Sequence, residues 1–281
     1  MLTLTAADQL AVKIAGLKKS GKTVGFVPTM GCLHAGHLAL VKQAGAACDV
    51  TVVSIFVNPK QFAPGEDYAR YPRDLERDAA LLSAARADIL FAPDVPEIYP
   101  PDNSARLLRA DAGLSGIACG LSRPGHFDGV VTVVARLFDL VQPDKAFFGQ
   151  KDYQQLRIIQ KMTAVEKYPI EIIACPIVRE SAGLAMSSRN KYLAPAQRKN
   201  ALALSRGLQE AAKLLRSGSA LSAAKAALKN LLENTPETRV DYAEILDRKN
   251  LTRLTEYKPG GSVILLAAYV GGARLIDNIE I

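Results

Sequence analysis

The stretch TVGFVPTMGCLHAGHLALV, from Thr23 to Val41, decides the fold. Its first part, Thr23–Val27, is a short apolar run typical of a buried strand. After Gly31 the apolar residues take the spacing of a helix. We therefore predict a strand, a loop and a helix in succession.

The same alternation continues along the chain. Further apolar strands are predicted at Val50–Val57, Ile89–Ala92, Ala146–Phe148 and Ile170–Val178. Helices are predicted at Leu75–Ala87, Val130–Val141 and Tyr153–Val165. Continuous apolar strands separated by helices are typical of a parallel sheet covered on both faces, so we predict an α/β domain.

The pattern changes near Pro195. Two Ala- and Leu-rich helices are predicted at Ala196–Arg216 and Ser219–Leu232. Three strands follow at Val240–Leu246, Ser262–Val270 and Ala273–Ile279, separated by turn-forming residues. This indicates a small antiparallel sheet and a domain boundary between Cys175 and Pro195.

Composition indicates an ordinary folded protein. Of the 281 residues, 49% are hydrophobic and 22% are charged. The basic residues near the N-terminus follow its mildly apolar stretch, the reverse of a signal peptide, and no apolar run approaches the roughly 20 residues of a membrane span. The four cysteines are widely scattered. We expect a cytoplasmic protein that does not contact membranes.

The formal net charge of +7 raises the hypothesis of a nucleic-acid-binding module. Aromatic residues make up only 6% of the chain, tryptophan is lacking, and the 35 basic and 28 acidic residues are interspersed. An anionic small molecule explains the excess equally well. We expect no nucleic-acid partner, and a phosphate-driven binder would show a steep salt dependence.

Two of the three histidines, His34 and His37, lie three residues apart, directly after the first predicted strand. That spacing places two side chains on one helical face. Gly36 allows close approach of a ligand, and a helix N-terminus attracts an anion. A capping or packing role is the alternative for a single histidine. A zinc site using Cys32 with both histidines would need further ligands, and the surrounding sequence has no recognised metal spacing.

Six segments carry a resemblance to a known family. They are FVPTMGCLHAGH, SIFVNPKQF, YPRDLERD, SRPGHFDGV, FFGQKDYQQL and GLAMSSRNKYL. In this order they closely resemble the pantothenate synthetases (pantoate-β-alanine ligases), over essentially the whole chain. The resemblance implies a Rossmann-like, doubly wound nucleotide- and pantoate-binding domain over 1–176, a smaller C-terminal α+β domain over 177–281 that closes over the ATP site, and a homodimer.

The reaction that the resemblance implies has two steps. ATP, accompanied by Mg²⁺, and pantoate form pantoyl adenylate and pyrophosphate; β-alanine then displaces AMP to give pantothenate. The residues implied for ATP are Met30, Gly31, Cys32, Leu33, His34, Ala35, Gly36, His37, Gly149, Gln150, Lys151, Asp152, Val178, Met186, Ser187, Ser188 and Arg189. Those implied for pantoate are Gln61 and Gln155.

The chemistry of these side chains is consistent with that reaction. A carboxylate that is already ionised needs no general base, so the site should be rich in cations and N–H donors. His37, His34, Lys151 and Arg189 meet that demand as catalytic residues. Taken singly, a lysine, an arginine or a glutamine is more often a solvated surface residue. No dedicated protein metal site is expected.

Three positions depart from the family pattern. Ala182 stands where an Asp is common, Cys32 where Asn is frequent, and Gln150 where Glu is frequent. A different nucleotidylyl transferase with the same histidine pair is the enzymatic alternative. The acceptor pocket would distinguish the two, because neutral glutamines suit a hydroxy acid.

Overall fold

The computed structural model describes residues 1–102 and 105–281. They divide into two compact units. The first comprises Met1–Asp111, Pro124–Gln150 and Ile158–Pro176, and the second comprises Ala112–Arg123, Lys151–Arg157 and Ile177–Ile281. The boundary that we predict after residue 176 follows the order of the chain, whereas these units follow packing, so two short earlier segments belong to the second unit.

The first unit is built on a parallel sheet. Its strands are β1 (Leu2–Leu4), β2 (Val24–Thr29), β3 (Val50–Ile55), β4 (Ile89–Phe91), β5 (Lys145–Gly149) and β6 (Glu171–Cys175), in the spatial order β1-β4-β3-β2-β5-β6. β2, β3 and β4 are buried almost throughout. That burial is what continuous apolar strands require, and the predicted doubly wound sheet is confirmed.

Ten α-helices lie in the described part of the chain. They are α1 (Ala7–Lys19), α2 (Ala35–Ala47), α3 (Leu75–Ala84), α4 (Val95–Ile98), α5 (Ala112–Ser115), α6 (Cys119–Ser122), α7 (His126–Val141), α8 (Tyr153–Val165), α9 (Pro195–Arg216) and α10 (Leu221–Glu233). None of them is long and apolar enough to span a membrane. Short 3-10 turns cover Pro59–Gln61, Gln150–Asp152 and Ser188–Tyr192.

The central strand β2 lies where the strand order reverses. It pairs with β3 along its whole length, from Val24 opposite Val50 to Thr29 opposite Ile55, and with β5 on its other side. All three strands run parallel, so their carboxyl ends share one edge of the sheet. In open α/β sheets that edge, at the reversal of strand order, is where ligands bind.

The second unit contains the predicted antiparallel sheet. Strands β7 (Thr238–Asp247), β8 (Ser262–Val270) and β9 (Ala273–Glu280) lie in the order β7-β8-β9. The core includes Leu204 and Leu208 of α9 with Leu228 of α10, packed in one cluster with the apolar face of the sheet. Gly207 permits the close helix contact, since a Cβ there would lie 2.6 Å from a methyl group of Leu228.

Candidate active site

A sharp loop connects β2 to α2. Gly31 and the next residue, Cys32, both have positive φ angles, of 80° and 51°. A Cβ on Gly31 would lie 3.0 Å from Ile55 and 3.1 Å from the Asp78 carboxylate, so both conformation and space require glycine. Cys32 adopts the left-handed conformation in spite of its side chain, which costs about 1–2 kcal/mol.

Contacts from two other elements hold this loop. The buried carboxylate of Asp78, on α3, accepts a hydrogen bond from the Leu33 N–H at 2.8 Å, and the Arg77 guanidinium donates to the Leu33 carbonyl at 3.3 Å. The Thr29 hydroxyl donates to the Ser54 carbonyl of β3 at 2.7 Å and accepts from the Gly31 N–H at 3.1 Å. The loop is therefore fixed at both ends.

His34 is the N-cap of α2 and lies outside the helix. Its backbone is extended, with φ −142° and ψ 174°, and its Nδ1 accepts a hydrogen bond from the Gly36 N–H at 3.1 Å. The predicted placement of both histidines on one helical face is therefore wrong for His34. The two rings nevertheless stack, with centroids 4.1 Å apart and planes 28° apart. An accepting Nδ1 places the proton of the neutral ring on Nε2.

The N-terminus of α2 suits an anion. Its first turn, Ala35–Leu38, consists of small, apolar and histidine residues, so the partial positive charge of this 13-residue helix meets no carboxylate of its own first turn. The carboxyl edge of β2 leads directly into it. The arrangement can bind phosphate oxygens through backbone N–H groups and imidazoles.

Gln61 and Met30 lie together at this edge. Gln61 closes the turn after β3, with only 9% of its surface exposed, and its Nε2 lies 2.8 Å from the Met30 Sδ. The default expectation of a surface glutamine is therefore wrong for Gln61. Gly149 ends β5, the other neighbour of β2, and Gln150 follows it. The first unit thus places Met30–His37, Gln61 and Gly149–Gln150 at the carboxyl ends of adjacent strands.

The second unit contains Lys151, Asp152 and Gln155. The Lys151 side chain is 22% exposed, and its Nζ lies 3.7 Å from the Asp152 carboxylate. The Asn278 amide donates to the Lys151 carbonyl at 2.9 Å. Gln155 is half-buried, whereas the neighbouring Gln154 has a structural role: its amide bonds the backbone of Leu114, Ile117 and Cys119.

The remaining predicted ATP residues lie in the second unit, on a hairpin (Val178 and Met186) and at the start of the 3-10 turn that follows it (Ser187, Ser188 and Arg189). Arg179 and Ala185 form an antiparallel β-bridge, and the Met186 N–H donates a hydrogen bond to the Val178 carbonyl at 2.9 Å. The turn is closed by a hydrogen bond of 2.8 Å from the Gly183 N–H to the Glu180 carbonyl, with Ala182 exposed at its tip.

Buried ionic and amide contacts fix this hairpin. Arg179 donates twice to the buried Asp277 carboxylate, at 2.6 and 2.9 Å. The Asn190 amide donates to the Glu180 carboxylate and to the Ala185 carbonyl. Ser187 caps the following turn by accepting from the Arg189 N–H at 3.2 Å. Apart from Ser187, the side chains that position Met186–Arg189 carry no predicted ligand contact.

Several positioning residues were missed by sequence reasoning. Arg77 and Asp78 lie in YPRDLERD and Asn58 in SIFVNPKQF, two segments that carried the family resemblance, but none of these three residues was assigned a role. The burial of Asp78 and Asn58, and the long-range partners of all three residues, were the missing information. Within residues 1–102 and 105–281, no three His, Cys, Asp or Glu side chains lie close enough to hold a metal ion.

Comparison with known proteins agrees with this architecture. The sequence model of the Pantoate-beta-alanine ligase family matches residues 3–280. A pantothenate synthetase of Moorella thermoacetica is 50% identical over 268 residues, covering 95% of this chain and 93% of its own. One of Thermotoga neapolitana is 51% identical over 263 residues, covering 93% of each chain.

Solved structures give the same result. The pantothenate synthetase of Thermus thermophilus superposes with a TM-score of 0.94 at 47% identity, covering 100% of this chain and 99% of its own. The pantoate-β-alanine ligase of Francisella tularensis, solved with β-γ ATP and β-alanine, gives a TM-score of 0.80 at 33% identity, covering 100% and 97%. Since sequence and fold agree over nearly every residue, the chain belongs to the pantoate-β-alanine ligase family.

Proposed function

We propose that the chain joins pantoate to β-alanine at the expense of ATP, forming pantothenate, AMP and pyrophosphate through a pantoyl-adenylate intermediate. The observation that carries the proposal is the fixed N-terminus of α2, with its stacked histidines, at the same sheet edge as the buried Gln61 amide. An anion-binding element beside a neutral hydrogen-bonding group suits a nucleotide and a hydroxy acid. The family relative solved with an ATP compound and β-alanine supports the same substrates.

In the first step, a pantoate carboxylate oxygen attacks the α-phosphorus of ATP. A P–O bond forms to the acid, and the bond to pyrophosphate breaks. The carboxyl group is ionised at neutral pH, since its ordinary pKa lies near 4, so no proton need be removed. The barrier comes from bringing two anions together, and fixed donors reduce it.

We assign these donors by position. Met30–His37 line the nucleotide, with His37 and His34 as catalytic imidazoles that neutralise charge on the transferred phosphoryl group. Gln61 binds pantoate. In the second unit, Lys151 and Arg189 supply permanent positive charge, and Gln155 is a further pantoate residue. Gly149–Asp152, Val178 and Met186–Arg189 complete the ATP contacts.

Magnesium enters with ATP as part of the substrate. Mg²⁺ commonly binds through phosphate oxygens and water with few protein carboxylates, and the described residues contain no three-ligand cluster that would bind it alone. The ion would neutralise phosphate charge during adenylation. Residues of the chain orient the reactants around it.

In the second step, the β-alanine amine attacks the acyl carbon. The new C–N bond forms as the C–O bond to AMP breaks, and the amine nitrogen loses its proton. AMP leaves with the bonding electron pair, so its phosphate gains one negative charge, which balances the proton that the nitrogen releases to solvent. Amide formation therefore needs no second nucleotide.

The proposal extends to assembly and location. We propose a cytoplasmic homodimer, as the resemblance implies, and scattered cysteines suit a reducing compartment. Sedimentation velocity at protein concentrations from about 1 to about 100 μM, a range that spans common dimer Kd values, should give a species of twice the chain mass. A monomer throughout that range would contradict the dimer.

The function is tested by its products. Purified protein with MgATP, pantoate and β-alanine should release AMP and pantothenate in equal amounts, measured by chromatography. The same assay with phosphate or alcohol acceptors in place of pantoate tests the other nucleotidylyl transferases. Transfer of AMP to those acceptors, without pantothenate, would overturn the proposal.

A further inference from the structure

The main chain of Gln61 is held from outside its own turn. The His126 Nδ1 lies 2.8 Å from the Gln61 carbonyl oxygen. Gly129, also on α7, lies so close that a Cβ there would be 2.2 Å from the Lys60 carbonyl oxygen. The turn therefore packs directly against α7, and the Gln61 backbone is fixed independently of the contacts of its own side chain.

The orientation of the neighbouring Asn58 amide follows from two backbone groups. Asn58 is only 1% exposed. The Lys60 N–H can only donate, and it lies 3.2 Å from one end of the amide, which must be Oδ1. The Gly129 carbonyl can only accept, and it lies 3.0 Å from the other end, which must be Nδ2.

The orientation of Gln61 follows in turn. The Asn58 Nδ2 also donates to the Gln61 Oε1 at 3.1 Å, so the carbonyl end of the Gln61 amide faces Asn58. Its NH₂ end then faces Met30, whose Sδ is a weak acceptor. The amide presents donors, not an acceptor, toward the loop that carries the histidines.

Tyr99 completes this chain of hydrogen bonds. Its hydroxyl donates to the Asn58 Oδ1 at 2.7 Å, so that oxygen receives two donors. The Tyr99 ring packs against Phe56, with centroids 6.1 Å apart, and Lys60 Nζ lies 4.6 Å from its centroid. Burial raises the pKa of Tyr99, which keeps the phenol protonated as a donor.

We infer that Tyr99 is a positioning residue: its hydroxyl reinforces the orientation that the Lys60 N–H and the Gly129 carbonyl give to the Asn58 amide, and through Asn58 it holds Gln61 as a hydrogen-bond donor to the acid substrate. The inference rests on the proposed function, in which Gln61 binds pantoate. A carboxylate only accepts hydrogen bonds, so a reversed Gln61 amide would place oxygen against oxygen. Tyr99 thereby favours a carboxylate or another acceptor at this position.

Tyr99→Phe removes the hydroxyl and keeps the ring. We expect the KM for pantoate to rise roughly 3- to 10-fold, as for loss of one neutral hydrogen bond, with kcat and the KM values for ATP and β-alanine within about twofold of wild type. Tyr168→Phe is the matched control in the same unit. Its hydroxyl donates to the Asp139 carboxylate at 2.8 Å, and its removal should leave the KM for pantoate unchanged.

A double-mutant cycle separates positioning from general structure. In a Gln61→Ala background, Tyr99→Phe should produce no further rise in the KM for pantoate, because the group that it positions is gone. Independent, multiplying effects would overturn the inference. Gln61→Glu provides a second check: a carboxylate facing the acid substrate should weaken pantoate binding at least about 100-fold, because two negative charges would then lie close together.

The outcomes distinguish this inference from the proposed function. Wild-type protein without pantoate-dependent activity would overturn both. Active wild-type protein whose Tyr99→Phe variant keeps the wild-type KM would overturn the inference alone. Full pantoate affinity in Gln61→Glu would also overturn it.

Discussion

His34 combines two tasks in one side chain. Its Nδ1 caps α2, and its ring stacks on His37, which belongs to the helix. The capping explanation that sequence reasoning weighed against an active-site role is thus observed, without removing that role. A substitution that keeps the cap and removes the imidazole separates the two.

We therefore predict different results for two His34 variants. His34→Ala should lose about 1 kcal/mol of unfolding free energy with the cap, whereas His34→Asn, a preferred N-cap residue, should stay within about 0.5 kcal/mol of wild type. Both should reduce pantoate-dependent activity about 100-fold because both lack the imidazole. Urea unfolding and initial rates measure the two effects.

His37→Ala is the comparison for this pair. We expect it to lose activity to a similar extent without the cap-related loss of stability. Wild-type rates in His34→Asn would show that capping is the whole role of His34.

Lys151 permits a test of charge. Lys151→Ala should lower kcat for adenylate formation about 100-fold, because it removes a fixed cation that would stabilise the negative charge developing on the phosphate groups. Unfolding free energy should change by less than about 1 kcal/mol, since a partly exposed ion pair with Asp152 contributes little. Lys145→Ala, which breaks a comparable pair with Glu171 at 3.2 Å, is the control and should keep wild-type kcat. Equal kcat values in Lys151→Ala and Lys145→Ala would show that Lys151 takes no part in adenylate formation.

At the scale of single residues, the sequence states which chemical groups are present but not the environments in which they lie. His37 and Lys151 were selected by type and motif, which the sequence states directly. The burial of Gln61 and its link to Tyr99 depend on contacts between residues about 40 to 70 positions apart, as between Asn58 and Tyr99 or Gly129. No local period encodes such contacts.

Among the elements, α3 matters most for the histidine loop. Asp78 accepts from the Leu33 N–H while almost fully buried. Its removal leaves a buried donor unsatisfied, which is more costly than the loss of an exposed hydrogen bond. The loop between β2 and α2 therefore depends on a helix that begins about 40 residues later in the chain.

Asp78→Ala should accordingly lose about 1–3 kcal/mol of stability and raise the KM for ATP several-fold, because the Leu33 N–H is freed. Asp78→Asn keeps a hydrogen-bond acceptor, so its KM for ATP should lie close to the wild-type value. Asp74→Ala is the control: it removes the N-cap of α3, whose carboxylate accepts from the Arg77 N–H at 3.1 Å, without touching the loop. Steady-state kinetics with ATP as the varied substrate measure these effects. Equal increases in the KM for ATP in Asp74→Ala and Asp78→Ala would contradict this role of Asp78.

The hairpin that carries Ala182 gives a second prediction at this scale. Ala182 is exposed at the turn, so Ala182→Asp adds a solvated carboxylate without burying it. We expect ATP affinity to stay the same or increase, as measured by calorimetry. Ala182→Asn is the uncharged control of equal shape. Clear weakening with Asp alone would show that the turn lies against nucleotide phosphates.

Elements with a strong apolar period were predicted well. α8 and β8 have the predicted bounds, Tyr153–Val165 and Ser262–Val270. β1 and the short helices α4, α5 and α6 were missed, because three or four residues are too few to show a period. α1 (Ala7–Lys19) was also missed.

The whole chain has the architecture of its family, with a parallel six-stranded sheet in one unit and an antiparallel three-stranded sheet in the other. Both sheets were predictable because their strands differ in pattern: continuous apolar runs in the first and turn-separated strands in the second. The assignment of residues 112–123 and 151–157 to the second unit was not predictable. It depends partly on the buried Gln154 amide, which joins those two segments.

The central claim is formation of a pantoyl adenylate, and isotope exchange tests it most directly. With ATP, Mg²⁺ and labelled pyrophosphate, the protein should transfer label into ATP only when pantoate is present, and without any need for β-alanine. That result shows reversible attack of the acid on the α-phosphorus. Folded protein that exchanges no label in the presence of pantoate would contradict the account.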